Sequence, residues 1–401
     1  MILAVLVAAR LLFIAFMPQV YSKDLYAWLH VIDVLDAGGN PYKDTPVLNW
    51  PPFWMQVLFG IGKLAKLTSV SAIHLIQATL VLAEVVTATI CYTLITRFFK
   101  AASTGVLIAA LALNPISILL SCQHCNFDVF AGLWILLFAY CLISYDEDHS
   151  AETWLAACFC LGMGIFTKTI PLILSPLLLA GVGRRSITTN IFGSVLLLTP
   201  VAIGMGVIYT LAPAGVSEHV LGYRSMGGWY GITGLLNVAG VKGGNEAYGA
   251  IAPWLLLLIM LLCAWRVRIR ASLLPAQVLV TMLILLVFLP TFGPGYSPPY
   301  ILWFLPLLPV YYTRATPALR RMMVAGYCIV ALTYITEYAF FPSHGAFIKA
   351  FYRSDEVSHL CDVMGMSTSQ SLIRLPMFLC FVMFFIALLR NRGNVLAAGK
   401  K

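Results

Sequence analysis

Apolar residues in this chain run in long unbroken stretches separated by short polar breaks, from the first residue almost to the last. Crossing about 30 Å of hydrocarbon takes about 20 mostly apolar residues, and in lipid every backbone polar group has to be satisfied within a helix or a closed barrel. Continuous rather than alternating runs select helices. The pattern predicts helices near 1–20, 70–96, 103–120, 127–144, 152–168, 170–182, 190–212, 250–266, 274–290, 299–312, 322–341 and 371–390. The chain therefore reads as an all-α polytopic membrane protein of about 12 transmembrane helices. The segments at 170–182 and 299–312 are short for a span, which predicts re-entrant or broken helices there. The first helix has no small-residue cleavage site and leads into an acidic amphipathic stretch, the mark of a retained span rather than a removed signal peptide.

One stretch breaks the pattern. Residues 21–52, "YSKDLYAWLHVIDVLDAGGNPYKDTPVLNWPP", gather Asp24, Asp33, Asp36 and Asp44. Ser22 is placed to cap a helix whose apolar positions, Leu25, Trp28, Leu29, Ile32 and Leu35, fall on one face, with Lys23, His30 and Asp33 on the other. Gly38-Gly39 and Asn40-Pro41 end it. This predicts an amphipathic helix lying in the membrane interface. "NPY" then reads as a turn and "WPP" as a rigid return to the bilayer, with Trp50 and Trp54 at headgroup level.

Of the 401 residues 61% are hydrophobic and 10% charged, with a formal net charge of +9. If the predicted spans alternate, Arg97/Lys100, Arg184/Arg185, Arg266/Arg268/Arg270, Arg314/Arg320/Arg321 and Arg390/Arg392/Lys400/Lys401 all fall on one side. The positive-inside rule makes that side cytoplasmic, with both termini in it. The acidic loop "YDEDHSAE", 145–152, is the one discord. The positive charge is thus a record of topology, and with no interleaved basic and aromatic patch it gives no reason to expect a nucleic-acid partner. Residues 1–401 form a single membrane domain. Its long loops, 21–52, 213–249, 291–298 and 342–370, lie on the outer or lumenal face, and only there is room for chemistry. The membrane is that of a bacterial cell or of the endoplasmic reticulum.

Most of the ten cysteines fall inside spans, where a buried thiol is a small hydrophobe. "CQHC", 122–125, has zinc-like or redox-like spacing but no second ligand pair near it, so it reads as structural and no metal is expected. Asp24, in a first helical turn, answers the helix dipole on its simplest reading, and Asp33 and Asp36 belong to a solvated face. His74, Gln77 and Glu84 share one face of the second span at spacings of three and seven, and Arg10 of the first span is the partner available to Glu84. They read as packing contacts first and as a substrate pathway second.

The order of four motifs carries a resemblance. An Asp just after the first span followed by "GGNPY" and "WPP", then "QHCNFD" at 123–128, "GMGIFTKTIPLILSPLLL" at 162–179 with its Lys-x-x-Pro, and "GPGYSPPYILWFLPLLP" at 293–309 together resemble the polyprenyl-phosphate-sugar-dependent glycosyltransferases of the integral-membrane C-type superfamily. The similarity covers most of the chain and is nearest to the polyprenyl-phosphate mannosyltransferases of bacteria and of glycolipid-anchor assembly. Some members carry Asp-Glu in the first loop, whereas Leu25 follows Asp24 here.

The resemblance implies the C-type fold and inverting transfer of a hexose, mannose foremost, from a polyprenyl-phosphate donor to a hydroxyl of a glycolipid or glycan acceptor, with no cofactor. It makes Asp24 the general base, with Asp128 as the alternative. A sugar hydroxyl is a weak nucleophile that must lose its proton as it attacks, so one positioned carboxylate is needed. A lipid phosphate leaves without protonation where cations and donors hold its charge. Substrate contacts are expected from Lys168, Arg224, Gln123, His124, Asp128, Tyr42, Tyr296 and Tyr300. Most have a plainer reading: Lys168 as a snorkelling anchor, Arg224 as a surface charge, Gln123, His124 and Asp128 as a helix cap, and Tyr296 and Tyr300 as an aromatic belt. His344 reads as structural. A secondary transporter, which predicts pseudo-symmetric halves, and a noncatalytic subunit of a membrane assembly are the rival classes. A cytoplasmic nucleotide-sugar enzyme built on "DED", 146–148, is set aside because its loop is too small.

Overall fold

The computed structural model describes residues 2–17, 22–99, 105, 108–180, 182–223, 227–268, 274–295, 297–342, 346–352 and 354–397, and among these every regular element is helical. The longer helices are α1 (Ile2–Phe16), α2 (Lys23–Asp36), α3 (Phe53–Thr68), α4 (Ala72–Leu94), α5 (Asp128–Asp148), α6 (Ala151–Thr167), α7 (Ile187–Leu211), α8 (Gly244–Arg268), α9 (Pro275–Phe292), α10 (Pro317–Phe340) and α11 (Ser367–Ala397). Seven helices in the described residues are long and apolar enough to cross a membrane, and shorter apolar helices at Ile2–Phe16, Ile108–Gln123, Ala151–Thr167 and Ile170–Leu179 complete the bundle. The two segments expected to be short are irregular. Ile170–Leu179 is a 3-10 helix, and the later one splits into a 3-10 turn at Pro298–Trp303 and an α-turn at Leu307–Tyr312. Prolines at 171, 176, 298, 299, 306 and 309 remove the amide donors that a continuous α-helix would need.

The first loop contains α2 as expected. Ser22 caps it by accepting from the Leu25 amide, Leu25, Trp28 and Ile32 are buried, and Lys23, His30 and Asp33 face outward. It also contains α3, where "WPP" predicts only a rigid return to the bilayer. Pro52 sits at its N-cap, and beyond it the helix runs for 16 residues until Ser69 turns into the left-handed region. Lys66 pairs with Asp36 at 2.9 Å and ties the two loop helices together. Trp54 is fully buried and stacked on Phe127 with ring centroids 5.4 Å apart.

The ends of α5 define the two poles of the bundle, about 30 Å apart for 21 residues at 1.5 Å each. At the Asp148 pole, Arg97 pairs with Glu147 at 3.4 Å, Arg185 stacks 3.5 Å from the Trp154 ring, and Arg314 donates to the Phe99 carbonyl. Basic clusters that the alternation put on one side thus meet at one pole. The acidic loop there is answered locally: Glu147 by Arg97, and Asp148 by the Ser150 amide and the Thr153 hydroxyl. The Asp128 pole holds the loop helices.

Within the bundle, Arg10 and Glu84 are paired at 2.5 Å, as their depth in the first two spans suggested. Arg10 also donates to the carbonyls of Leu6, Leu111 and Ala112 and to Ser117, while Glu84 accepts from Ser117 and Ser121. Both charges are therefore hydrogen-bonded on several sides, which a pair buried in hydrocarbon requires. Gly132 lets α5 close onto the turn at 298–303, since a Cβ there would lie 2.3 Å from the Leu302 carbonyl oxygen. Gly132 stands one turn after Asp128, so this close approach also brings Trp303 within reach of the Asp128 carboxylate.

Candidate active site

The motif "QHCNFD" is the point where a helix breaks and restarts. Asn114 and Pro115 start a short α-turn at Pro115–Ile118, which widens into a π-turn at Leu119–Gln123. Cys125 then takes φ of 57°, a left-handed conformation that is uncommon outside glycine, before α5 begins at Asp128. Such widened turns and strained residues concentrate at functional sites. Here the break turns His124 and Asn126 toward α2, while Asp128 turns toward the end of α6.

Helix α2 is docked on this break by its own first turns. The Ser22 hydroxyl donates to the His124 carbonyl at 2.9 Å, and the Trp28 indole donates to the Cys125 carbonyl at 2.9 Å. Asp24 lies between those anchors. Its Oδ2 meets His124 Nε2 at 2.9 Å and accepts from the Asn126 amide at 2.6 Å. Oδ1 has no hydrogen bond from the described residues, and the side chain is 35% exposed. Burial pushes the Asp24 carboxyl up, but the His124 charge, the hydrogen bonds from His124 and Asn126, and Lys168 outweigh it. The carboxyl is held below its ordinary value of 3.8. The other imidazole nitrogen, Nδ1, is hydrogen-bonded to the Tyr338 hydroxyl of α10.

A second charged pair adjoins the first. Helix α6 ends at Thr167, ahead of Pro171, and Lys168 is thrown into an extended conformation that sends its ammonium to Asp128. Nζ reaches both carboxylate oxygens at 2.8 Å, and the Trp303 indole donates to Oδ1 at 2.5 Å. Asp128 is wholly buried, and Lys168 retains 14% exposure. Three rings surround the ammonium: Tyr300 at 5.0 Å, Phe127 at 5.3 Å and Trp303 at 5.5 Å. Tyr300 and Trp303 stack on one another at 4.2 Å, and Tyr223 shares a hydrogen bond with Tyr300 within electrostatic range of both Lys168 and Asp24.

Of the residues singled out in the sequence, the structure brings Asp24, His124, Asp128, Lys168 and Tyr300 into one cluster. Gln123 is next to it and 5% exposed, with no hydrogen-bond partner for either end of its amide among the described residues. Tyr42 is 1% exposed and donates to the Trp50 carbonyl at 2.8 Å, so it braces the first loop. Arg224, Tyr296 and His344 lie outside the described residues. Cys122 and Cys125 are buried free thiols, and no group of three metal-ligating side chains occurs among the described residues.

Asn126, Tyr223, Trp303 and Tyr338 are members of the cluster that sequence reasoning passed over. One signal for Tyr338 was present. Glu337, beside it, is a carboxylate inside a span and so demands a partner. That partner is Arg374 of α11, with bonds of 2.7 and 2.8 Å, and Arg374 also donates to the Trp229 carbonyl.

No family model matches the chain, and no curated protein matches its sequence. Among solved structures, ArnT from Cupriavidus metallidurans in the apo state aligns with a TM-score of 0.51 at 16% identity, over 97% of this chain and 76% of that one. ArnT from the same organism bound to undecaprenyl phosphate aligns with a TM-score of 0.49 at 15% identity, over 92% and 72%. The architecture is the all-α, multi-pass C-type glycosyltransferase fold that the order of the motifs implied.

Proposed function

We propose that the protein is an inverting, polyprenyl-phosphate-sugar-dependent glycosyltransferase that moves a hexose, mannose first among candidates, onto a hydroxyl of a glycolipid or glycan. The observation that carries this reading is the placement of Asp24: one carboxylate oxygen is bonded to His124 and Asn126, and the other has no hydrogen bond from the described residues on a side chain 35% exposed. The acceptor oxygen attacks the anomeric carbon as the bond to the lipid phosphate breaks, and its proton passes to Asp24 Oδ1. The departing phosphate keeps its negative charge, which Lys168, Arg224 and the tyrosine hydroxyls are suited to stabilise. Asp128, buried and saturated by Lys168 and Trp303, orients the ammonium and leaves the base role to Asp24.

A lipid donor is further supported by a crevice of 380 Å³ walled by Ile301, Phe304, Tyr327, Phe381 and Phe384. In a 3-10 turn residues three apart share a face. Tyr300 and Trp303 form the row beside Lys168, and Ile301 and Phe304 form the next row, in the crevice wall. One short segment therefore offers an aromatic face to a phosphate and an apolar face to a hydrocarbon chain. ArnT, which shares the fold, has been seen with undecaprenyl phosphate bound. The basic pole opposite the site supports an outer or lumenal location under the positive-inside rule.

The test is Asp24→Asn assayed with undecaprenyl-phosphate-mannose and a lipid extract of the native membrane, together with mass spectrometry of the lipids that co-purify. Loss of general-base catalysis lowers transfer by about 10²–10⁴-fold, with a polyprenyl phosphate still retained by the variant. Full turnover by Asp24→Asn, or no polyprenyl lipid in either preparation, would refute the proposal.

A further inference from the structure

We propose that Tyr338 is a positioning residue for Asp24, acting through His124: its hydroxyl holds the imidazole in the orientation and tautomer that leave Nε2 facing Oδ2 and Oδ1 clear for the acceptor. The inference rests on the reading of Asp24 as the base. His124 is 4% exposed and Tyr338 fully buried, and their rings meet edge to face at 5.6 Å. The Tyr338 hydroxyl faces Nδ1 from α10, and Asp24 faces Nε2 from α2. Nε2 carries a proton toward Oδ2, the oxygen that Asn126 also holds, both in the imidazolium, whose Nδ1–H donates to the Tyr338 hydroxyl, and in the neutral Nε2–H tautomer, whose Nδ1 accepts from it. An imidazole free to rotate or change tautomer would present a lone pair to the carboxylate instead.

The placement of Tyr338 is itself determined on the neighbouring residue. Glu337 is locked to Arg374 by two bonds, of 2.7 and 2.8 Å, which sets the rotation of α10 at this level. Tyr334, one turn earlier, donates to the Pro298 carbonyl. Polar contacts at 334, 337 and 338, spaced to share one face of α10, thus fix the rotation that presents Tyr338 to His124. Among the described residues, the groups that bear on Asp24 are His124 and Asn126 from the helix break, Lys168 from the end of α6 and Tyr223 from the loop after α7.

The experiment is a mutant cycle on the purified full chain, with undecaprenyl-phosphate-mannose as donor and native-membrane lipid extract as acceptor, read as undecaprenyl phosphate released. Tyr338→Phe keeps the ring and removes one hydrogen bond, so kcat is expected to fall about 3–10-fold with donor KM unchanged. His124→Gln places an amide donor near the Nε2 position and severs the link to Tyr338. In that background Tyr338→Phe is expected to cause no further loss. Wild-type kcat for Tyr338→Phe, or the same fold-loss in both backgrounds, overturns the proposal.

If Tyr338→Phe does not fold, 3-fluorotyrosine inserted at position 338 replaces it. The more acidic phenol strengthens donation to Nδ1 and should shift the acid limb of the kcat profile, whereas an unmoved limb counts against the role. An inactive Asp24→Asn beside a neutral Tyr338→Phe removes the positioning role alone. An active Asp24→Asn removes the base assignment and this inference with it.

Discussion

Asp128→Asn separates two roles that one buried carboxylate can play. Two charges 2.8 Å apart attract by about 6 kcal/mol at an effective dielectric of about 20. Removing one partner of a buried pair costs about 3–5 kcal/mol, because the other is left uncompensated. Asn retains the shape and the oxygen that accepts from Trp303, and the rings of Tyr300, Phe127 and Trp303 soften the stranded ammonium, each by about 0.5–1 kcal/mol. Asp128→Asn should therefore fall at the low end, about 3 kcal/mol. Lys168→Met leaves a carboxylate of zero exposure with one indole donor and should fall at the high end, about 5 kcal/mol. The double variant buries no charge and should be more stable than Lys168→Met alone. Thermal unfolding in detergent at pH 7 gives the ranking, and additive losses in the double variant would refute the pair as the stabilising unit. Donor titration gives the second half. Asp128→Asn frees the ammonium and should keep its donor affinity, whereas Lys168→Met should weaken it about 10–100-fold, the value of one charge-assisted hydrogen bond to phosphate. An Asp128→Asn protein of wild-type stability that binds donor and does not turn over would show that Asp128 is the base and that the reasoning about Asp24 is wrong.

The remaining expectations are simpler. Gly132→Ala should lower the melting temperature, because its Cβ would lie 2.3 Å from a backbone oxygen, while Gly60→Ala, with nothing within 4 Å, should be neutral; equal melting temperatures would contradict the close packing of α5 on the 298–303 turn. Arg374→Ala should destabilise by about 3–5 kcal/mol by removing the buried cation paired with Glu337, and Arg374→Ala with Glu337→Gln should recover part of that loss in the same thermal assay. Because the Asp24 carboxyl is held below 3.8, its contribution to stability is complete above its unfolded value and is lost only as pH falls through the folded one. The melting-temperature gap between wild type and Asp24→Asn should thus be constant from pH 7 to about pH 5 and close below about pH 4; a gap closing near pH 6 would assign the effect to another group. Single cysteines at Asp44 and Arg268 should label from opposite sides of the membrane, and labelling from one side would break the span alternation.

The spans were legible because hydrocarbon imposes length and apolarity residue by residue, a local signal that seven of the described helices obey. Ser22 as a cap and Arg10 as the partner of Glu84 were legible for the same reason: one follows from helix-end chemistry, the other from the cost of a charge in lipid. Helix α3 was hidden behind Pro52, since a proline stops a helix only from within and is accepted at its start. The π-turn at Leu119–Gln123 and the left-handed Cys125 left no mark, because neither needs a glycine or a proline here. Tyr338 and Trp303 joined the site across 214 and 175 residues of chain. Such contacts depend on how helices rotate against one another, and no short window of sequence records that.

The two-faced turn at Pro298–Trp303 also constrains how this protein can diverge. Its rows are defined by a repeat of three, so inserting or deleting one residue turns everything beyond it by about 120° and exchanges the row beside Lys168 with the row in the crevice. Side chains in either row can drift among rings and aliphatics of similar size, one position at a time. The count of residues between Pro298 and Phe304 cannot, and relatives that conserve the chemistry should align through this turn without a gap even where their residue types no longer agree.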